Sequence, residues 1–230
     1  EEYVVADAVV DASGSYGNGN FSGSGGIPAL GERNAAKSGR IIRLVPDPLG
    51  ADKERFAQAK NIAVLGSGYS AITCLNALAT LSETLKAEGK GAPSITWLTR
   101  RTGQPYEIIE GDPLPQRSLL AEKGNSWASA SASADSASAP VGRRIGGVQV
   151  QAFATSAEDK LELTMQVGKE GTEEKEEAKM EVDFLVSNCG FRPDSSMYQE
   201  LQIHQCYASE GPMKLAAALL SADGAGSADC

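Results

Sequence analysis

Six consecutive residues, Gly66-Ser67-Gly68-Tyr69-Ser70-Ala71, have the types and spacing that let a backbone turn cradle a pyrophosphate. Gly66 permits a tight turn. Gly68 carries no side chain, so a phosphate can approach the chain closely. Ala71 is small enough for a helix to pack tightly on a strand. A helix that starts here points free N–H groups and the positive end of its dipole at the phosphates. The candidate cradle is therefore Gly66, Ser67, Gly68, Tyr69, Ser70 and Ala71. Further along stand Arg100 and Arg101. A guanidinium grips a phosphate through two parallel charge-assisted bonds. In dinucleotide-binding units an acid at the end of the second strand bonds the adenosine ribose, whereas an arginine meets a 2′-phosphate. The arginine pair leads us to expect NADP(H), with NAD as the alternative.

The flanking elements suit such a turn. Ile62, Ala63, Val64 and Leu65 form an apolar run with no polar alternation, as in a parallel strand buried on both faces. Beyond the turn, Ala71, Leu75, Leu78, Ser82 and Leu85 follow helical spacing. Ser94 to Thr99 reads as the second parallel strand, and the arginines follow it directly. A glycine-x-glycine pattern alone also fits an ordinary loop before a core helix. Here strand, turn, helix and second strand occur in order, which favours the nucleotide-binding reading.

Away from this unit, Tyr3 to Ala12 reads as a strand. A Gly/Ser/Asn-rich loop leads into an ordered crossing around Ile27 to Leu30. Ile41, Ile42, Leu44 and Val45 suggest a short strand, and Asp52 to Lys60 a short polar helix. After Asp112-Pro113-Leu114-Pro115, a short helix is expected over Arg117 to Glu122. The Ala/Ser tract near 125–140 offers little for a core and is expected to be a disordered surface insertion. Three strands should follow, at Gly147 to Phe153, Lys160 to Val167 and Met180 to Asn188, with Glu170 to Lys179 as a charged hairpin loop. The tail reads as a short helix at Met197 to Leu201 and a second at Pro212 to Leu220, with Ala222 to Cys230 frayed.

Bulk properties narrow the partners. The 230 residues carry a net charge of −9, which argues against nucleic acid. No apolar run approaches the ~20 residues of a membrane helix. Cys74, Cys189, Cys206 and Cys230 form no C-x-x-C pair, and His204 is the only histidine, so neither a disulfide framework nor a metal site is expected. A reduced, cytoplasmic setting is the default, although the chain opens on Glu1 without an initiator methionine and reads as a piece of a longer protein. We expect a small-molecule substrate, no nucleic-acid or membrane partner, and allow a homodimer. No catalytic residue is assigned. His204 is the one acid–base candidate by type.

Asp11-Ala12-Ser13-Gly14, the Gly66 turn, and Ser187-Asn188-Cys189-Gly190-Phe191-Arg192-Pro193-Asp194 occur in an order that resembles flavoproteins with two dinucleotide-binding domains. That group includes flavin-containing monooxygenases and pyridine nucleotide-disulfide reductases. The resemblance implies an α/β fold: a Rossmann-like parallel sheet with a β-meander, inserted in a partial second dinucleotide-binding domain. It implies a leaving and crossover segment at 1–57, the NAD(P)-binding domain at 58–188, and a return segment at 189–230. Ser13, Gly14 and Gly190 would then lie on the FAD side of the site. The implied activity is hydride transfer from NADPH to a flavin, in an enzyme of which this chain is one part. The monooxygenase fingerprint Phe-x-Gly-x-x-x-His is matched at Phe21 and Gly23, but Ile27 replaces the histidine. There is no second glycine turn, so FAD would be held mostly by residues before Glu1. The alternatives are a non-catalytic NAD(P)-binding module and a disulfide reductase whose redox cysteines lie outside this chain.

Overall fold

In the computed structural model, which describes residues 3–130, 142–156, 158–168, 171, 174–206 and 210–221, the expected strand at Asn61 is the centre of a parallel sheet. In chain order the strands are β1 (Ile41–Ile42), β2 (Asn61–Leu65), β3 (Ser94–Leu98), β4 (Arg143–Ile145), β5 (Val148–Thr155), β6 (Leu161–Gly168), β7 (Lys175–Val182) and β8 (Phe184–Ser187). The parallel sheet has the order β1-β8-β2-β3-β4, and a separate antiparallel sheet has the order β5-β6-β7. The helices are α1 (Glu32–Ala35), α2 (Lys53–Ala57), α3 (Tyr69–Ala87), α4 (Pro115–Ala130) and α5 (Met213–Ser221).

The uninterrupted apolar run of β2 has a direct structural cause. Ile62 and Val64 join one core with Ile72, Leu75, Leu78 and Leu81 of α3. Ala63 and Leu65 join another, with Leu163 and Met165 of the antiparallel sheet. A strand covered on both faces must be apolar at every position. In β5, by contrast, Val148 and Val150 are buried while Gln149 between them is half-buried, the alternation of a sheet with one packed face. In α3 the buried Ala71, Leu75, Leu78, Ser82 and Leu85 reproduce the expected stripe. This α/β fold, with its parallel sheet and meander, is the expected class.

Several local expectations are corrected. Tyr3 to Ala12 forms no strand: it has no ladder partner among the described residues, and Val5 is 100% exposed. β propensity without a paired neighbour does not make a strand. The charged loop expected to run to Lys179 is largely β7, an edge strand of the meander whose Glu176 and Glu177 are exposed; charge is common on edges. The single strand expected from Met180 is two. β7 ends at Val182, and the chain turns at Asp183 into β8 of the other sheet. The Asp183 carboxylate accepts from the Lys60 and Asn61 N–H groups at 2.7 and 2.8 Å, which ties this corner to the start of β2.

Helix α4 is also longer than expected. It runs to Ala130, with Asn125, Trp127 and Ala128 buried, so residues 125–130 are not a disordered insertion. Tryptophan supplies the burial that the surrounding Ala/Ser composition hides. The rest of that tract, and the expected frayed end beyond Ala222, lie outside the described residues.

The chain divides into two compact units, one from Gly19 to Gly190 and one made of Glu1–Asn18 with Phe191–Cys230. In the second unit Asn18 donates to the Pro193 carbonyl at 3.2 Å, Tyr16 meets Phe191 edge-on, and Asp194 accepts from the Ser196 N–H at the start of a 3-10 helix, Ser195–Leu201. Among the described residues, no helix is long and apolar enough to cross a membrane.

Candidate functional site: the Gly66 cavity

Gly66 leaves β2 with a φ of 133°, a value that strongly favours glycine. A Cβ there would also lie 2.3 Å from the Asn188 carbonyl oxygen. Its N–H donates to the Leu98 carbonyl at 3.0 Å, while its own carbonyl accepts from Trp97 Nε1 at 2.8 Å. Gly68 is different. It caps α3 in an ordinary extended conformation, and a Cβ on it would meet nothing within 4 Å. The turn therefore needs glycine at 66 for its backbone, while the space above Gly68 is open. Tyr69 and Ser70 begin α3, and the first N–H groups of a helix have no acceptor within it.

Two aromatic residues hold the carbonyl side of this turn. Trp97 takes Gly66, and the Tyr106 hydroxyl donates to the Gly68 carbonyl at 3.1 Å. Tyr106 is itself clasped by α4: Asn125 accepts from its N–H at 3.1 Å and donates to its carbonyl at 2.9 Å. A Cβ on Gly124 would lie 2.3 Å from the Tyr106 ring, so glycine makes room for it. Burial pushes the Tyr106 hydroxyl pKa well above the usual phenol range, which keeps it a proton donor. The Gly66 N–H is engaged with Leu98 and the Ala71 N–H with the Gly68 carbonyl, so the N–H groups between them, at Ser67 to Ser70, are the ones the turn can offer to a phosphate.

The opposite wall is the glycine-rich loop. Glu32 is wholly buried, and its carboxylate accepts from the Ser22 N–H at 2.9 Å, the Ser22 hydroxyl at 3.0 Å and the Ala29 N–H at 2.9 Å. The Ser22 and Ser187 hydroxyl oxygens are 2.9 Å apart. The loop is thus pinned to the end of β8, in keeping with the ordered crossing read from the sequence. Between loop, turn and meander lies a cavity of about 650 Å³ at the carboxyl end of the parallel strands.

Gly66, Ser67, Gly68, Arg100 and Gly190 all line this cavity. Tyr69, Ser70, Ala71 and Arg101 do not. Ala71 is fully buried at the helix–strand contact, the role its size suggests. Arg101 is exposed beside β3; its carbonyl accepts from Thr99 Oγ1 at 2.8 Å and from Arg144 at 3.0 Å. Ser13 and Gly14 belong to the other compact unit, where Ser13 donates its N–H to Asp11 and Gly14 has a φ of 79°. His204 is exposed in that unit.

Asn188 and Asn20 were not singled out by type, yet both line the cavity. Asn188 is only 5% exposed, and neither its amide oxygen nor its amide nitrogen has a partner; the Asn20 amide oxygen is unpartnered as well. Asn188 lies in the Ser187–Asp194 stretch that carries the resemblance, but the sequence marks neither residue as lining a cavity, because that depends on β8 lying beside β2. Cys189 is held by burial above the usual thiol pKa, and burial pushes Cys74 up to about 12, so neither is poised as a nucleophile.

Two features of the turn suit close approach of a phosphate: open space over Gly68 and a backbone at Gly66 that strongly favours glycine. The described residues contain one strand–glycine turn–helix of this kind. They do not supply a second pyrophosphate cradle of the sort FAD would need.

No protein-family model matches the sequence, and no curated protein matches it either. Solved structures do. The chain is similar to the FAD-bound cadaverine monooxygenase DfoA of Erwinia amylovora, from the desferrioxamine biosynthetic pathway, with a TM-score of 0.50 and 15% identity over 83% of this chain and 47% of that one. It is also similar to Lactococcus lactis thioredoxin reductase, with a TM-score of 0.47 and 14% identity over 76% of this chain and 44% of that one. The chain thus spans about half the length of these proteins. The first likeness establishes a shared fold, the Rossmann-like architecture found in FAD-dependent oxidoreductases.

Proposed function

We propose that this chain is the NAD(P)H-binding part of an FAD-dependent oxidoreductase. The observation that carries the reading is the Gly66–Gly68 turn, with its carbonyls held by Trp97 and Tyr106 and open space above Gly68. In this reading the pyrophosphate lies over Gly66 to Ala71. Arg100 receives the 2′-phosphate, supported by its place on the cavity wall and by the lack of an acid after β3. Arg101 is the second basic group on the same connection. The reduced nicotinamide supplies a hydride, and the acceptor is a flavin held mostly outside this chain. Gly190, on the cavity wall, stands on the flavin side.

The chain's own residues bind and orient. Glu32 and Ser22 fix the loop that walls the cavity, and the cofactors carry the electron chemistry. The substrate is a small molecule. The test is the absorbance of the full-length gene product under anaerobic conditions. A flavin spectrum that bleaches on adding NADPH supports the proposal. Tight NADPH binding with no flavin would instead mark a non-catalytic nucleotide-binding module.

A further inference from the structure

β7 is the outer strand of the meander, and among the described residues it forms a ladder with β6 alone. That ladder runs without a bulge from Leu161 opposite Val182 to Gly168 opposite Lys175. The other edge of β7 is therefore regular and open to a further strand. The two faces of β7 differ. Ala178, Met180 and Val182 pack on the core beneath. Lys175, Glu177, Lys179 and Glu181 are exposed on the other face. Lys179 and Glu181 also reach across to β6 and its start, to Glu162 at 3.4 Å and Lys160 at 3.1 Å. The Lys179 and Glu181 side chains are 60% and 40% exposed, so each remains open to a second partner.

The order Lys-Glu-Lys-Glu on this face is self-complementary. A second copy can lie antiparallel along the edge, with a two-fold axis perpendicular to the sheet at Ala178. Lys175 then stands opposite Glu181 of the partner subunit, and Glu177 opposite Lys179 of the partner subunit. Symmetry repeats both pairs, so every charge on the exposed face meets its opposite. On the core side Ala178 meets its own copy and Glu176 meets Met180 of the partner subunit, so no like charges are opposed there either. Moving the axis by one residue, to Glu177 or Lys179, sets glutamate against glutamate and lysine against lysine. Unlike charges directly opposite stabilise a strand pair, and like charges destabilise it. An edge guarded only against association gains from charge of one sign, which repels a second copy. Here the signs alternate and cancel, in a chain whose net charge is −9. The neutral strip is where two such chains approach with least repulsion.

We propose that β7 is the interface of a homodimer, in which two meanders join edge to edge into one continuous antiparallel sheet with Ala178 on the two-fold axis. The contact is isologous, so it closes on itself at two copies. It stands apart from the nucleotide-binding reading above, since β7 does not line the Gly66 cavity.

The test is sedimentation velocity of the full chain, with two charge reversals, Glu177→Lys and Lys179→Glu. Both side chains are exposed, so the variants keep their fold. The unaltered protein should pass from monomer to dimer as its concentration rises from micromolar towards millimolar. Either reversal alone opposes like charges at two places in the dimer and should weaken it on the order of tenfold or more. Mixing the two variants should restore the dimer, because the Glu177→Lys chain then faces the Lys179→Glu chain with opposite signs at both places. An unaltered protein that stays monomeric throughout would overturn the proposal. So would a dimer that either reversal leaves intact, or one that both reversals weaken and the mixture does not restore.

Discussion

At the residue scale, Gly66 and Gly68 look alike in sequence and do different work. A side chain at 66 must overcome both a positive φ and the Asn188 carbonyl 2.3 Å away. Gly66→Ala should therefore lose roughly 3 kcal/mol or more of stability, read as a fall in the urea midpoint. Gly68→Val meets open space and should keep its stability while blocking nucleotide. Tyr106→Phe removes one hydrogen bond to the turn and should cost about 1 kcal/mol in the same denaturation experiment. The buried thiols add a pH dependence. Cys74 has its folded pKa raised to about 12, so it stays protonated in the folded protein while the unfolded thiol ionises near about 8.5. That contribution to stability is complete below about pH 8.5 and is lost progressively as pH rises towards 12. The thermal midpoint should fall across this alkaline range, and Cys74→Ala should make the fall shallower. An unchanged slope would show that the thiol ionises freely in the folded chain.

At the element scale, the strand–turn–helix around Gly66 could be read from the sequence because its signals are local. Glycine spacing, an apolar run and a helical stripe all lie within a few turns of chain. What was misread depended on distant partners. Tyr3 to Ala12 has strand composition but forms no ladder among the described residues, while Lys175 to Lys179 has loop composition yet pairs with β6. The end of α4 was hidden because Ala and Ser dominate its composition, although Trp127 is buried with α3 in the same core. Trp127→Ala should cost about 3–5 kcal/mol in a thermal or urea melt, as for a large aromatic removed from a core. A change below about 1 kcal/mol, typical of a surface position, would mean that this stretch is not part of the packed helix.

At the scale of the whole molecule, the parallel sheet, the meander and the glycine-rich loop converge on one cavity at the carboxyl end of β2, β3 and β8. The turn and Arg100 were visible in advance. Asn20 and Asn188 were not, because only the strand order brings positions so far apart in sequence to one wall. The same holds for Glu32, whose buried carboxylate fixes the loop opposite the turn. The central claim is that this cavity is a dinucleotide site built on the Gly66–Ala71 turn. Calorimetric titration of the full chain with NADPH, alongside Gly68→Val, tests it most directly. The account predicts saturable one-site binding to the unaltered protein and its loss in Gly68→Val, with matching thermal midpoints for the two proteins. Undetectable binding to the unaltered chain, or equal affinity in the variant, would contradict it.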